Sequence, residues 1–183
     1  MRIVSGKFKN KLVNTLETKE LRPTLSKIRE SIFDVLQEKV VESVLLDLFA
    51  GSGLVGIEAA SRLAKEVIFV EKNPKHFKLL KQNLSSFDFE YKVYLNDAMR
   101  ALKYFNEEQF DVIFLDPPYE TGCIEKVLPP IAEKNILKAD GLIIIECTKD
   151  ENFDNLINNI GFEKTKEKTY GGTKLLYLQK KED

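Results

Sequence analysis

The residues best suited to chemistry form one run, Asp116-Pro117-Pro118-Tyr119, directly after an apolar stretch that reads as a strand. Two prolines after a strand stop the hydrogen-bond ladder and stiffen the loop. They also leave backbone carbonyls as acceptors with no local donors. A carboxylate and a proline carbonyl can together receive both hydrogens of an exocyclic NH2 group on a nucleobase. Such an amine is a poor nucleophile, because its lone pair is delocalised into the ring. Hydrogen bonds to both N–H groups favour a pyramidal nitrogen, whose lone pair can then attack an electrophilic methyl carbon. Tyr119 can stack on the base plane, and stacking on an aromatic contributes about 1–3 kcal/mol per base.

A second run, Phe49-Ala50-Gly51-Ser52-Gly53-Leu54-Val55-Gly56, follows Asp47 and matches Gly-x-Gly-x-x-Gly, with Glu71 further on. Read literally, that is a dinucleotide fingerprint. Asp47 argues against it: a pyrophosphate in that loop would meet a carboxylate, and like charges about 4 Å apart cost on the order of 4 kcal/mol at an effective dielectric of ~20. A cationic ligand reverses the sign. S-adenosylmethionine carries an ammonium and a sulfonium and no phosphate. Its ribose diol suits a strand-end acid such as Glu71, and its adenine amine suits Asp97. Acids stand at or just past five strand ends, namely Asp47, Glu71, Asp97, Asp116 and Glu146. In an open parallel sheet, ligands bind outside the carboxyl ends of the strands. Asp97 can equally be the N-cap of the helix that Ala98 begins.

These residues need elements to hold them. From residue 44 onward the pattern alternates, with strands over 44–48, 67–71, 91–95, 110–116 and 141–147. Helices are expected over 53–63, 74–84, 98–105 and 152–159, and a helical stretch over 122–134 that Pro129-Pro130 breaks or ends. Two last strands, 162–169 and 173–179, meet at Gly171-Gly172, a hairpin composition. Repeated strand–helix units imply right-handed crossovers and a mostly parallel α/β sheet with helices on both faces, here closed by an antiparallel hairpin. Ahead of it, residues 1–16 read as short strand pieces in which Lys7, Lys9 and Lys11 share one face by the period of two. A helix over 24–39 follows, with Thr24 as N-cap and Pro23 ending the segment before it.

Composition narrows the class. The chain has 183 residues, 43% apolar and 31% charged, a globular balance with room for one domain and a small appendage. Net charge is −1, but residues 1–30 carry +5, residues 31–160 carry −8 and residues 161–183 carry +2. Basic ends around an acidic middle point to an anionic partner near the termini. No apolar run is long enough for a transmembrane helix, and the N-terminus lacks the apolar stretch of a secretory signal. Cys123 and Cys147 read as reduced, packed thiols of a cytoplasmic protein. With His76 they make three candidate ligands, too few for a four-ligand zinc site, so no metal is expected. His76 itself reads as a surface helix residue.

Together these residues resemble the class I S-adenosylmethionine-dependent methyltransferases that modify exocyclic amines. Asp47-Leu-Phe-Ala-Gly51-Ser-Gly53 is similar to their donor loop and Asp116-Pro-Pro-Tyr119 to their catalytic loop. The match is closer to one group. Arg2-Ile-Val-Ser-Gly6-Lys7-Phe8-Lys9-Asn10-Lys11-Leu12, Leu21-Arg22-Pro23-Thr24 with Ile28-Arg29-Glu30, and the tail Thr169-Tyr170-Gly171-Gly172-Thr173 resemble the RsmD family. That resemblance implies a Rossmann-like seven-stranded fold and methylation of N2 of one guanine in bacterial small-subunit ribosomal RNA, in a partly assembled small subunit. It implies two parts: an RNA-binding hairpin plus helix over 1–40, and a methyltransferase domain over 41–183. The donor would be held by Asp47, Phe49, Gly51, Ser52, Gly53, Glu71, Asp97, Ala98 and Asp116. The target amine would be held by Asp116, Pro117 and Pro118, with Tyr119 stacked on the base. Arg2, Lys7, Lys9, Lys11, Arg22 and Arg29 would face RNA phosphates. Rival readings are an amine methyltransferase acting on adenine or cytosine in DNA or another nucleic acid, a nicotinamide-dependent oxidoreductase, and a non-catalytic RNA-binding module.

Overall fold

Runs of β-branched and aromatic residues build the centre of the molecule. In a computed structural model describing residues 1–15, 22–118 and 122–181, strand β2 (Glu66–Glu71) is buried along nearly its whole length, as a strand covered on both faces must be. It pairs in parallel with β1 (Val44–Asp47) and β3 (Tyr91–Leu95), and β4 (Phe110–Leu115) pairs in parallel with β1 and with β5 (Leu137–Thr148). The hairpin β6 (Phe162–Tyr170) and β7 (Thr173–Lys180) joins antiparallel through β7 to β5, giving the order β3-β2-β1-β4-β5-β7-β6. The chain winds outward from β1 to β3, then returns to the other side of β1 as β4. The order therefore reverses between β1 and β4, and a crevice for ligands opens at such a switch point.

Alternate residues of each strand feed opposite faces. Leu46, Ile68, Val70, Ile113 and Ile143 pack with Ile124, Val127, Leu128 and Ile131 of α5 (Cys123–Glu133) and Ile157 of α6 (Asp154–Asn159). Leu45, Val67, Phe69, Val112 and Ile144 pack with Ile28, Ile32, Phe33 and Leu36 of α1 (Arg22–Leu36). Ile57 of α2 (Leu54–Ser61) and Leu80 and Leu84 of α3 (Pro74–Leu84) lie on that same face. At about 1.5–3 kcal/mol for each fully buried Leu, Ile or Phe, these two layers supply most of the drive to fold. Ile3, Phe8 and Val13 belong to the second layer, so the N-terminal segment and the sheet share one apolar cluster.

Several local expectations are corrected. Residues 7–13 are not a strand. Only Arg2 and Leu12 form an antiparallel bridge, and turns lie between them. Gly6 and Asn10 both have positive φ, which curls the segment so that Phe8 reaches the core, edge-on to Phe87 at 5.2 Å. Helix α1 starts at Arg22, not Thr24, and a 3-10 turn over Gln37–Val40 follows it. Pro23 sits in the first turn, where a missing N–H costs no hydrogen bond. Helix α5 runs through Pro129 and Pro130. Its buried stripe of Ile124, Val127, Leu128 and Ile131 outweighs the hydrogen bonds the prolines remove. Helix α4 (Ala98–Ala101) is a single turn that passes into a 3-10 turn, Leu102–Tyr104.

Candidate active site

The switch point places Asp47, last residue of β1, beside the end of β4, its Cα opposite Phe114, with Asp116 just beyond. The loop after β1 is tied on both sides: Leu48 N–H donates to the Phe114 carbonyl at 3.1 Å and Ala50 N–H to the Val70 carbonyl at 2.9 Å. Gly53 then takes a left-handed φ of 80° as the residue capping α2. A side chain there would overlap Leu80, and one at Gly56 would overlap the Phe69 ring, so the latter glycine serves helix–strand packing rather than a ligand. At Gly51, with φ 54°, nothing lies within 4 Å of where a Cβ would stand, so its backbone is open. The Ser52 carbonyl accepts from Asn83 Nδ2 at 2.8 Å.

Glu71 is buried, and its oxygens accept the backbone N–H groups of Gly51 at 2.8 Å and Asn73 at 2.6 Å. Each oxygen keeps a second lone pair for a hydroxyl donor. Asp97 is indeed an N-cap, accepting from Met99 N–H at 3.0 Å, and its other oxygen lies 3.2 Å from Lys72 Nζ. A cavity of about 960 Å³ joins Glu71, Asp97, Ala98, Asp116, Pro117 and Pro118, the volume of a site for a nucleoside-sized ligand and more. A second cavity, of about 260 Å³, runs from Gly51 and Ser52 past Asp47 to α1. Phe49, Gly51, His76, Asp116 and Glu146 line both. Tyr119 lies outside the described residues.

The electrostatics of this junction favour a cation. Asp47 is 2% exposed, and burial together with the neighbouring Asp116 pushes its carboxyl up to about 8. Asp116 lies deep in the molecule but keeps part of its surface open to the cavities, and its burial pushes it up to about 7. One oxygen of Asp47, Oδ1, has no hydrogen-bond partner among the described residues. A ligand bearing positive charge would discharge this pair, whereas a phosphate would aggravate it. An ammonium–sulfonium donor such as S-adenosylmethionine fits these residues.

The remaining expected residues divide. Arg2, Lys7, Lys9 and Lys11 are exposed. Lys7 and Lys11 each hold their ammonium 5.2 Å from the Phe8 ring, brought together by the turn rather than by strand alternation. The side chain of Arg22 lies outside the described structure. Arg29 is corrected: it is 2% exposed, facing inward from α1, and cannot meet a phosphate at the surface. His76 is not merely a surface residue of α3, because it reaches both cavities, 3.9 Å from Glu71. Asn96, Cys123 and Lys126 also line the larger cavity. Asn96 adjoins Asp97 at a strand end and was within reach of the strand-end rule. Cys123 and Lys126 come from the start of α5, and no sequence spacing links them to the site. Among the described residues no helix is long and apolar enough to cross a membrane, and no group of His, Cys, Asp and Glu is placed to hold a metal ion.

Comparison with known proteins adds to this geometry. A family model described as Conserved hypothetical protein 95 matches residues 1–179. The chain is 35% identical to the Bacillus subtilis protein YlbH over 99% of its own length and 100% of that protein's. It is 35% identical to Ribosomal RNA small subunit methyltransferase D of Haemophilus influenzae, covering 93% of this chain and 89% of the relative. The solved structure of yhhF from Escherichia coli superposes with a TM-score of 0.86 at 26% identity, covering 98% of this chain and 97% of that one.

Proposed function

This chain belongs to the Conserved hypothetical protein 95 family, the RsmD family, and from that premise we propose that it methylates the exocyclic N2 amine of one guanine in small-subunit ribosomal RNA. The observation that carries the reading is the position of Asp116, which lines both cavities, with Pro117 next to it in the larger one. The larger cavity has room for a flipped base beside an adenosine, and the smaller one receives the other end of the donor. When bound, S-adenosylmethionine supplies a methyl group on a positively charged sulfur.

The chain's own groups do the rest. Asp47 faces the donor's ammonium, the open backbone of Gly51 lets it approach closely, and Glu71 takes the ribose hydroxyls. Asp97 and Ala98 border the adenine. The guanine leaves its stack to enter the pocket, as a base must when chemistry occurs on its edge. Asp116 accepts one amine hydrogen and the Pro117 carbonyl the other, which holds the nitrogen pyramidal and aligned. The Asp116 carboxylate would also stabilise the positive charge that develops on that nitrogen as its lone pair takes the methyl and the methyl–sulfur bond breaks, and the nitrogen's surplus proton would then leave to solvent. Tyr119 stacks on the guanine. Arg2, Lys7, Lys9, Lys11 and Arg22 face phosphates of a partly assembled small subunit in the cytoplasm.

The test is transfer of labelled methyl from S-adenosylmethionine to small subunits and total RNA from cells lacking this gene, with nucleoside analysis. Label as N2-methylguanine at one ribosomal position is the expected result. Label in another base keeps the mechanism and overturns the substrate, and no label with the donor bound overturns the enzymatic reading.

A further inference from the structure

Arg29 is the least expected charge in this molecule. It lies in α1, is 2% exposed, and is held by two contacts: Nη2 donates to the Arg2 carbonyl at 2.7 Å, and Nε stands 3.3 Å from Glu58 Oε2. Glu58 is itself fully buried and already engaged. It accepts Val4 N–H at 2.8 Å and Ser5 N–H at 3.0 Å, and Arg62 Nε at 3.1 Å. Two guanidiniums thus share one buried carboxylate, with Glu30 as a further acid acting on Arg29. The third nitrogen of the fork, Arg29 Nη1, is buried and has no hydrogen-bond partner among the described residues. The charge is paired with Glu58, but a buried N–H without an acceptor is unfavourable, so the arrangement leaves a place for an acceptor that arrives from outside the chain.

The cavity identifies that acceptor. Arg29 lines the smaller cavity together with Asp47, whose Oδ1 is, with Nε and Nη1 of Arg29, a buried side-chain atom without a hydrogen-bond partner among the described residues. The lining of one cavity therefore includes a cationic residue and an anionic residue that each keep such a polar atom. The group that uses both is an α-amino acid, with its carboxylate at Arg29 and its ammonium at Asp47. A phosphate would satisfy Arg29 and clash with Asp47, and a simple amine would satisfy Asp47 and leave Arg29 unpaired.

We infer that Arg29 binds the α-carboxylate of the methyl donor's methionine end, completing with Asp47 a receptor for its zwitterion. This rests on the donor reading proposed above and adds a residue to it. Glu58 acts as a positioning residue, because it fixes the guanidinium plane and ties it to the N-terminal segment.

Decarboxylated S-adenosylmethionine is the decisive probe, since it keeps the adenosine, sulfonium and ammonium and lacks only the carboxylate. Calorimetry on the full chain should show the intact donor binding more tightly than this analogue by on the order of 10–100-fold, the worth of one charge-assisted hydrogen bond. In Arg29→Gln that preference should fall to within about threefold, with affinity for the analogue little changed. Arg29→Lys keeps the charge without the fork and should fall between, which preserves the test should the glutamine variant fold poorly. Equal binding of both ligands by the unaltered protein overturns the inference, and so does a variant that weakens both equally. Binding of neither ligand overturns the donor reading along with it, an outcome distinct from binding without preference.

Discussion

The Glu71 carboxylate accepts the backbone N–H of Gly51 at 2.8 Å, so the acid at the end of β2 holds the glycine loop that follows β1. Its second oxygen holds Asn73 N–H, at the entry to α3. Glu71 is therefore a strut between two loops as well as a candidate ribose ligand. Glu71→Gln puts an NH2 group where one of those two acceptors stood. The expected cost is about 1–3 kcal/mol of stability, that of a buried N–H left unpaired, with a matching loss of donor affinity. Urea unfolding and calorimetry would check this. A variant that loses affinity at unchanged stability would mean that Glu71 only touches the ligand.

Asp116 separates binding from chemistry. Asp116→Ala removes the acceptor for the target amine but leaves Asp47, Glu71 and the glycine loop in place. Donor affinity should change less than about tenfold, whereas turnover should drop on the order of 10²–10³-fold, the usual loss for one preorganised polar group. Single-turnover methyl transfer beside a binding isotherm measures both. Full activity in this variant would sink the assignment.

The sheet was legible in the sequence because its signals are local. Val67-Ile68-Phe69-Val70 and Leu142-Ile143-Ile144-Ile145 have only one plausible fate, and the hairpin at Gly171-Gly172 is marked by its turn. Asp47, Glu71, Asp97 and Asp116 were legible because strand ends converge in an open sheet. What escaped depends on tertiary partners. Arg29 looks like one more basic residue of a basic N-terminus until Glu58, distant in sequence, draws it inward. Phe8 turns the lysine-rich segment into a loop pinned to the core, its lysines left exposed, because Phe87 and Phe89 receive the ring. Pro129 and Pro130 do not end α5 for the same reason: the core beneath the helix holds it where the prolines remove hydrogen bonds.

The raised carboxyls give the protein a pH dependence whose sign is fixed. Asp47 is pushed from 3.8 up to about 8 and Asp116 from 3.8 up to about 7. Between those limits the folded chain holds more protons than the unfolded one, so stability falls as pH rises. Their contribution is intact below the ordinary carboxylate range and is lost as pH passes through about 7 and 8. Asp47→Asn should flatten this decline, so the ligand-free variant should gain at least about 1 kcal/mol over the parent near pH 8, a pKa unit being ~1.4 kcal/mol. A cationic donor favours the ionised acids, so its binding near pH 6.5 should release protons, read as a dependence of calorimetric heat on buffer ionisation enthalpy. Equal slopes of stability with pH in both proteins would remove Asp47 from this account.

The exposed lysines make a prediction that the donor site does not share. Lys7 and Lys11 each hold their ammonium 5.2 Å from the buried Phe8 ring, with Lys11 also 5.5 Å from Phe87, so the two ammoniums are displayed from one support. Lys7 donates to the Asp88 carbonyl at 3.1 Å, an exposed contact that a phosphate can replace at little cost. If these groups meet RNA phosphates, each releases about one counterion on binding, and affinity falls with salt in proportion to their number. The double variant Lys7→Glu, Lys11→Glu should raise the KM for the RNA substrate at least about tenfold and lower the slope of log affinity against log salt by ~2. Affinity for S-adenosylmethionine should not move, because neither residue lines either cavity. Filter binding of small subunits over a salt series, beside donor calorimetry, distinguishes the outcomes. An unchanged slope would place the RNA on another face of the protein.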